Sequence, residues 1–496
     1  MNKKYIMSNK MAHLHFSYLQ TALFLTIFAL FIGCKPKEVD TLELSEEYYT
    51  GGKNGTAFIN GSMSYEQQAS AVSDGIAFLK GEKLFEGRFV EGNGTTPFSG
   101  LGPVYIRSSC KDCHPGYGHG RRMDRYNADD YGNGYLLVIY DDEGKLCPQF
   151  TGMPQTRATY PFLPPIQESG IHITWHQYVD EFGNQYPDGE TYSLIYPIVT
   201  IDREAILPEL RPDNYHVAVE ATIGIYGTGL LDAIPESALI AEHSSQQSRG
   251  YCQGMSELPY AADENGNMKV GRYTYGCTRS TLQNGPGANA LWNITNVIRP
   301  DRRYHYITTA YAQAMANNSN VQQVLGWSRD SIYNYLMSTN LSPEMSMKDF
   351  DDFMVWHRGL AVPAARNLDD PVVQTGKSLF YSMGCTACHK PSWITGNDPH
   401  LAQYSNQKIW PYTDLLRHNL AMYEPGLRAN CRTIPLWGRG LSKVCTGYDE
   451  HLHDMRARTY EEAILWHGGE AAASRDKFRH LSKDQRKAVV KFLEAI

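Results

Sequence analysis

The chain has 496 residues, enough for two or three domains, and its 42% hydrophobic content suffices for packed cores. The formal net charge of −7 excludes nucleic acid as a partner, because phosphate binding needs a basic surface. Thirty-three tyrosines and eight tryptophans suit a protein that encloses flat apolar groups, and equally a large loop-rich extracellular protein.

Residues 1–33 read as a leader. Lys3, Lys4 and Lys10 precede an apolar run at 23–32, too short for a comfortable transmembrane span and of the length of a signal-peptide core. Gly33 and Cys34 follow it in the manner of a bacterial lipobox, with Phe31 in place of the usual Leu. Cys34 is then the lipidated first residue of a mature chain three charges more negative than the full one. The expectation is a cell-envelope lipoprotein, exported and held to the membrane by its lipid alone. Residues 34–64, polar and bearing Gly and Asn, read as a tether.

A helical pattern from about 65 ends in Gly81-Glu82-Lys83-Leu84-Phe85, and a glycine-bearing stretch at 87–102 leads to Cys110-Lys111-Asp112-Cys113-His114. C-x-x-C-H is the attachment signature of haem c, in which both thiols add across vinyl groups and the adjacent His becomes an axial ligand of the iron. A dithiol redox pair needs no following His, and a structural zinc needs four ligands. His119 is a candidate distal ligand for the first iron. Alternatively, with Arg121 and Arg122, it neutralises a propionate.

Short apolar runs at 135–140, 171–175 and 192–196, separated by Asp-Glu-Gly and Pro-Asp-Gly turns, predict a β-rich segment over about 135–205. Helical character is expected from Val217, which places Glu220 on a helix, and again over 304–336. Glu220 is the candidate catalytic acid, moving protons between peroxide oxygens at an open first haem.

Gly376-Lys377-Ser378-Leu379-Phe380 then precedes Cys385-Thr386-Ala387-Cys388-His389. The G-x-x-L-F element before both C-x-x-C-H motifs is an internal repeat with an insertion, and predicts two haem c groups with His114 and His389 as axial ligands. Thr459-x-x-Glu462 and Ser482-x-x-Gln485 open two closing helices.

Five cysteines remain. In an oxidising compartment Cys252 is expected to pair with Cys277 and Cys431 with Cys445, leaving Cys147 as an inert buried thiol or a reactive one. Trp292, Trp437 and Trp466 are possible electron stepping stones, whereas His172, His176 and His357 belong to no constellation.

Several stretches resemble the di-haem oxidoreductase family of peroxidase type, also labelled thiol oxidoreductases and similar to bacterial di-haem cytochrome c peroxidases. They are GLGPV at 100–104, GLLDAIP at 229–235, LAVPA at 360–364, PYTDLL at 411–416, TIPLWG at 433–438, LHDMRART at 452–459 and WHGGEA at 466–471. The resemblance runs from about residue 75 to the end. It implies a mainly α fold of two cytochrome c-like haem lobes facing a common interface. An N-terminal lobe over 65–365 would carry the β-rich insertion, and a C-terminal cytochrome c domain would span 366–496.

Where the family usually has Gly after His-Asp, this chain has Met455. A thioether can ligate iron, so the candidate distal ligands of the second haem are His453 and Met455, with His451 behind them. A haem with an open face reduces peroxide, whereas one filled on both faces only passes electrons. The leading expectation is a peroxidase-type oxidoreductase in which electrons enter at the C-terminal haem and reach the first. The alternatives are an electron-transfer cytochrome with both irons six-coordinate, and a thiol oxidoreductase using Cys147. The expected partners are a redox donor or acceptor protein, or a small oxidant such as peroxide.

Overall fold

Two helix pairs, built alike, organise the chain. In the computed structural model, which describes residues 44–92, 98–252, 255, 257–422 and 430–496, one unit extends from Glu46 to Ile496. The leader and Cys34 lie outside the described residues.

The first pair joins the Gly75–Glu86 helix to Met347–Arg358. Asp74 caps the former by accepting from Ala77 N at 2.9 Å, and Ser346 caps the latter by accepting from Asp349 N at 3.1 Å. Their crossing point is Gly81, where a Cβ would collide with the Asp352 carbonyl and the Trp356 side chain. The second pair joins Pro371–Met383, capped by Asp370, to Lys483–Ala495, whose Ser482–Gln485 capping box is fully formed. Here Gly376 is the crossing point, and a Cβ would strike the Ala488 carbonyl. The repeated glycine of G-x-x-L-F is thus the position at which each pair of backbones touches. Its phenylalanines are equivalent too, since Phe85 lies 6.2 Å from the His114 ring and Phe380 lies 6.1 Å from that of His389.

Between the pairs lie two antiparallel ribbons. Tyr135–Tyr140 pairs with His216–Ala221, setting Leu136 opposite Glu220, and Ile171–Tyr178 pairs with Leu194–Ile201. Leu137, Ile139, Ile173, Val199 and Val219 form a core with Tyr311, Val321 and Ile332 from three short helices. The stretch from Val217 is therefore a strand where a helix was expected. Its Val217, Val219 and Ala221 are buried at a period of two, which suits a ribbon with one covered face. The helical tract at 304–336 is likewise not continuous. Asn318 ends Thr309–Asn317 and caps Ser319–Leu325, and Gly326, at φ +65°, ends that helix before Arg329–Leu336.

The expected tether at 34–64 is overturned over 46–64, and residues 34–43 lie outside the described residues. Residues 46–64 are folded into the body, because their polar groups have specific partners there. Glu47 bonds Lys377 and the Tyr412 hydroxyl, Thr50 Oγ1 donates to the Pro363 carbonyl at 2.6 Å, and Thr56–Ala57 pairs in parallel with Val362–Pro363. The two expected disulfides are not formed, and all four cysteines carry free thiols. Cys445 Sγ contacts the Gly61 carbonyl at 3.4 Å, while Cys431 sits opposite His418 on another ribbon. Cys147 is a buried thiol packed into the ribbon core. Among the described residues no helix is long and apolar enough to cross a membrane.

Candidate functional site

Each C-x-x-C-H motif opens onto its own apolar cavity. Cys110 and Cys385 each begin a single turn of 3-10 helix that ends at the second cysteine and delivers the histidine to the cavity wall. His114 Nδ1 then bonds the Gly118 carbonyl at 3.1 Å, and His389 Nδ1 bonds the Tyr412 carbonyl at 3.2 Å. Anchoring Nδ1–H on a carbonyl fixes the tautomer and leaves the Nε2 lone pair for a metal, the usual arrangement of a ligating histidine. Burial pushes the two imidazoles down to about 4 and about 3, so both are neutral as ligation requires.

The first cavity has a volume of about 510 Å³ and the second about 170 Å³, so there is more room to spare beside His114 than beside His389. The first is lined by Phe85, Cys110, Cys113 and His114 on one side, and by Glu220, Tyr275 and His357 among others elsewhere. The second is lined by Phe380, Cys385, Cys388, His389, His451, His453 and His467 among others. Tyr275, Arg432, Ile434 and Arg439 line both. The segment 432–439 is thus a wall shared by the two sites.

That wall carries charge without a counter-charge. Arg432 is 3% exposed, donates from Nε to the Thr274 carbonyl at 3.0 Å, and keeps one terminal nitrogen with no partner. Arg439, also buried, donates to the Glu450 carbonyl and His451 Nδ1, both at 2.9 Å. Among the described residues neither arginine has a salt bridge to a carboxylate. An unpaired buried cation is costly, and a flat apolar cofactor with two carboxylates is the complement this wall lacks. Twin cysteines, a Nδ1-anchored histidine and unpaired guanidiniums together fit haem in both cavities.

A further network stands beside Cys388. His418 Nε2 bonds Asp414 at 2.8 Å and Nδ1 bonds Glu470 at 3.0 Å. Burial opposes a charge on His418, but hydrogen bonds to Asp414, Cys388 and Glu470 outweigh it and hold the ring protonated far above its ordinary range. Although donor atoms of Cys388, Asp414 and His418 lie within 4.8 Å of one another, both His418 nitrogens are engaged with carboxylates, so the cluster is an ion-pair network with no free imidazole lone pair for a metal.

A family profile described as "Di-haem oxidoreductase, putative peroxidase" matches residues 175–496. The chain belongs to that family. The match contains the second motif and the shared wall, while the first motif lies upstream of it. No curated protein matches the chain. Among solved structures, a MauG-like protein associated with microbial copper homeostasis is similar at 15% identity over 48% of this chain and 78% of that one, with a TM-score of 0.24, too low to carry an argument.

Several expected site residues of this di-haem oxidoreductase stand elsewhere. Met455 is 2% exposed and packs into the ribbon core rather than the second cavity. Its φ is +61°, a backbone that favours glycine, which accounts for the glycine usual at this place in the family. His119 is buried with Nδ1 bonded to the Gly120 carbonyl and does not line the first cavity. Arg121 and Arg122 stack on Tyr448 and Trp175, and the cations lining the first cavity are instead Arg279, Arg432 and Arg439.

Of the three tryptophans only Trp437 lines a cavity; Trp292 packs between Tyr304 and Tyr306, and Trp466 stacks on Tyr178 at 4.8 Å. Glu220 does reach the first cavity, from a strand. Near it, the buried Tyr275 hydroxyl has no partner, and burial followed by the Glu220 charge raises its pKa. His453 and His451 line the second cavity.

Sequence reasoning missed His357, which lines the first cavity with both ring nitrogens unpartnered and is pushed down to about 3 chiefly by burial. It follows Trp356 at the crossing with Gly81, as Leu493 follows Phe492 at the crossing with Gly376, and both line their cavities. Only an alignment of the two helix pairs, beyond the short repeat, would have found it.

Proposed function

We propose that the chain is an exported di-haem c-type oxidoreductase of peroxidase type, with haem joined covalently at Cys110/Cys113 and Cys385/Cys388. In this reading the first cavity is where an oxidant is reduced, and the second passes electrons to it. The observation that carries the reading is the inequality of two otherwise equivalent sites. The cavity beside His114 is the roomier, and among the described residues no imidazole ring comes as close to His114 as His467 does to His389. Haem with one open axial face supplies one-electron chemistry and cleavage of a bound oxidant.

The rest falls to side chains. Reduction of hydrogen peroxide to two waters consumes two electrons and two protons. Glu220 can hold and release a proton at its carboxylate, and the Tyr275 hydroxyl, lacking any other acceptor, can donate a hydrogen bond to an oxygen in the cavity. Tyr135, Leu136 and Val138 of the neighbouring strand hold Glu220 in register, and the last two line the cavity and exclude water.

The experiment is an electronic spectrum of the purified ferric protein. One high-spin haem that shifts on adding peroxide or cyanide is expected. Two low-spin haems, with no turnover of peroxide by the half-reduced form, would make the protein a relay between envelope partners instead. Export and lipidation are proposed from the leader and Cys34. Labelling with palmitate should mark the wild type and not Cys34→Ser, which should be released from the membrane fraction.

A further inference from the structure

The second cavity holds a histidine for which the reading so far gives no role. His467 follows the Tyr460–Leu465 helix, and its Nδ1 bonds the Ala463 carbonyl at 2.7 Å. This is the same Nδ1-on-carbonyl anchoring that fixes His389, and it leaves Nε2 as the free lone pair. Both imidazoles line the cavity, and their ring centroids are 6.3 Å apart, with planes inclined at 45°.

That separation matches two rings sharing one metal. A metal–imidazole bond of about 2.0–2.1 Å, with the ring centre about 1.1 Å behind the nitrogen, places the centres of two axial imidazoles on one metal about 6.2–6.4 Å apart. Rotation of either ring about its bond to the metal leaves this distance unchanged, so the inclination is unconstrained.

We infer that His467 is the second axial ligand of the iron bound by His389, making the C-terminal haem six-coordinate with two imidazoles. The inference rests on the proposed haem at Cys385 and Cys388 and specifies what fills its far side.

The surrounding sequence is built to deliver that ring. Gly468 and Gly469 run directly against the 419–420 backbone, where a Cβ at Gly469, φ +51°, would strike the Asn419 carbonyl. One residue further on, Glu470 clamps His418. The W-H-G-G-E stretch therefore places a ligand, a close backbone crossing and an ion-pair anchor in succession. The other histidines of the cavity are engaged. His451 Nδ1 accepts from Arg439, with its ring tilted against Tyr460 at 4.4 Å, and the His453 ring lies edge-on to Tyr275 at 6.0 Å, so both are held away from His389. Among the described residues His467 is the imidazole brought close to His389.

The test is electron paramagnetic resonance and near-infrared absorption of ferric wild type, His467→Ala, His467→Met and His453→Ala. Total haem is counted separately as the pyridine complex. His467→Ala should convert the second haem from low-spin to high-spin, and added imidazole should restore the low-spin signal. His467→Met should stay low-spin but gain a sulfur-to-iron charge-transfer band, a readout that survives if the alanine variant folds poorly. His453→Ala should change neither signal. A second haem that remains low-spin in His467→Ala, or His467→Met without the new band, would overturn the assignment. A wild type carrying fewer than two haems per chain would instead overturn the di-haem reading on which it rests.

Discussion

Arg432 is a buried guanidinium that has no salt bridge among the described residues, keeps one terminal nitrogen unpartnered and lines both cavities. Replacing it by Gln removes a positive charge from both sites, so reduction becomes harder at each. The expected shift is downward by on the order of 60 mV, equivalent to about 1.4 kcal/mol for a one-electron couple, read by potentiometric titration of the two haem bands. A shift at one haem alone would mean that Arg432 serves a single site. His305 makes a prediction about pH. Both its nitrogens are buried without partners and burial depresses it to about 4, against 6.5 for a free imidazole. Between those values the unfolded chain binds the proton and the folded one does not, so stability falls as pH drops from about 6.5 to about 4. His305→Leu should flatten that acid limb by up to about 3 kcal/mol in urea melts at pH 7 and pH 4. At this scale the attachment residues were legible because C-x-x-C-H is contiguous. The distal side was not, because His467 reaches its partner across 78 residues of sequence and its own motif looks like a helix end.

The helix pairs yield a sharper contrast. Gly376→Ala forces a methyl into the Ala488 carbonyl, so the pair must separate, and a loss of about 1–3 kcal/mol is expected by denaturant unfolding. Gly61→Ala, with nothing within 4 Å of its Cβ, is the control and should stay within about 0.5 kcal/mol. The G-x-x-L-F repeat pointed to these helices, and Thr459 and Ser482 to the caps at the closing ones, because capping and close crossing are written in neighbouring residues. Residues 217–221 run into the helical stretch after them in the sequence, although Val217, Val219 and Ala221 alternate. What makes them a strand is the ribbon with Tyr135–Tyr140, and no local signal names a partner so far back in the chain.

Across the whole molecule, residues 46–64 tie both halves together. Glu47 bonds Lys377 and the buried Tyr412 hydroxyl, and Thr50 Oγ1 donates to the Pro363 carbonyl at 2.6 Å. Glu47→Ala should destabilise the protein by about 2–3 kcal/mol, seen as a lower melting temperature and earlier tryptic cleavage. Nothing in the composition of this stretch distinguishes it from a solvated linker, since these contacts are made more than 300 residues away. The shared wall has a consequence for the order of assembly. Residues 432–439 come after both C-x-x-C-H motifs in the chain, so synthesis presents Cys110 and then Cys385 before the strip that lines both cavities. Neither chamber can be finished early, and the groups destined for each meet a chain still open on that side. Closure is then a single late event that seals two compartments at once, and a defect in the strip should leave a protein with both cofactors attached and neither one shielded.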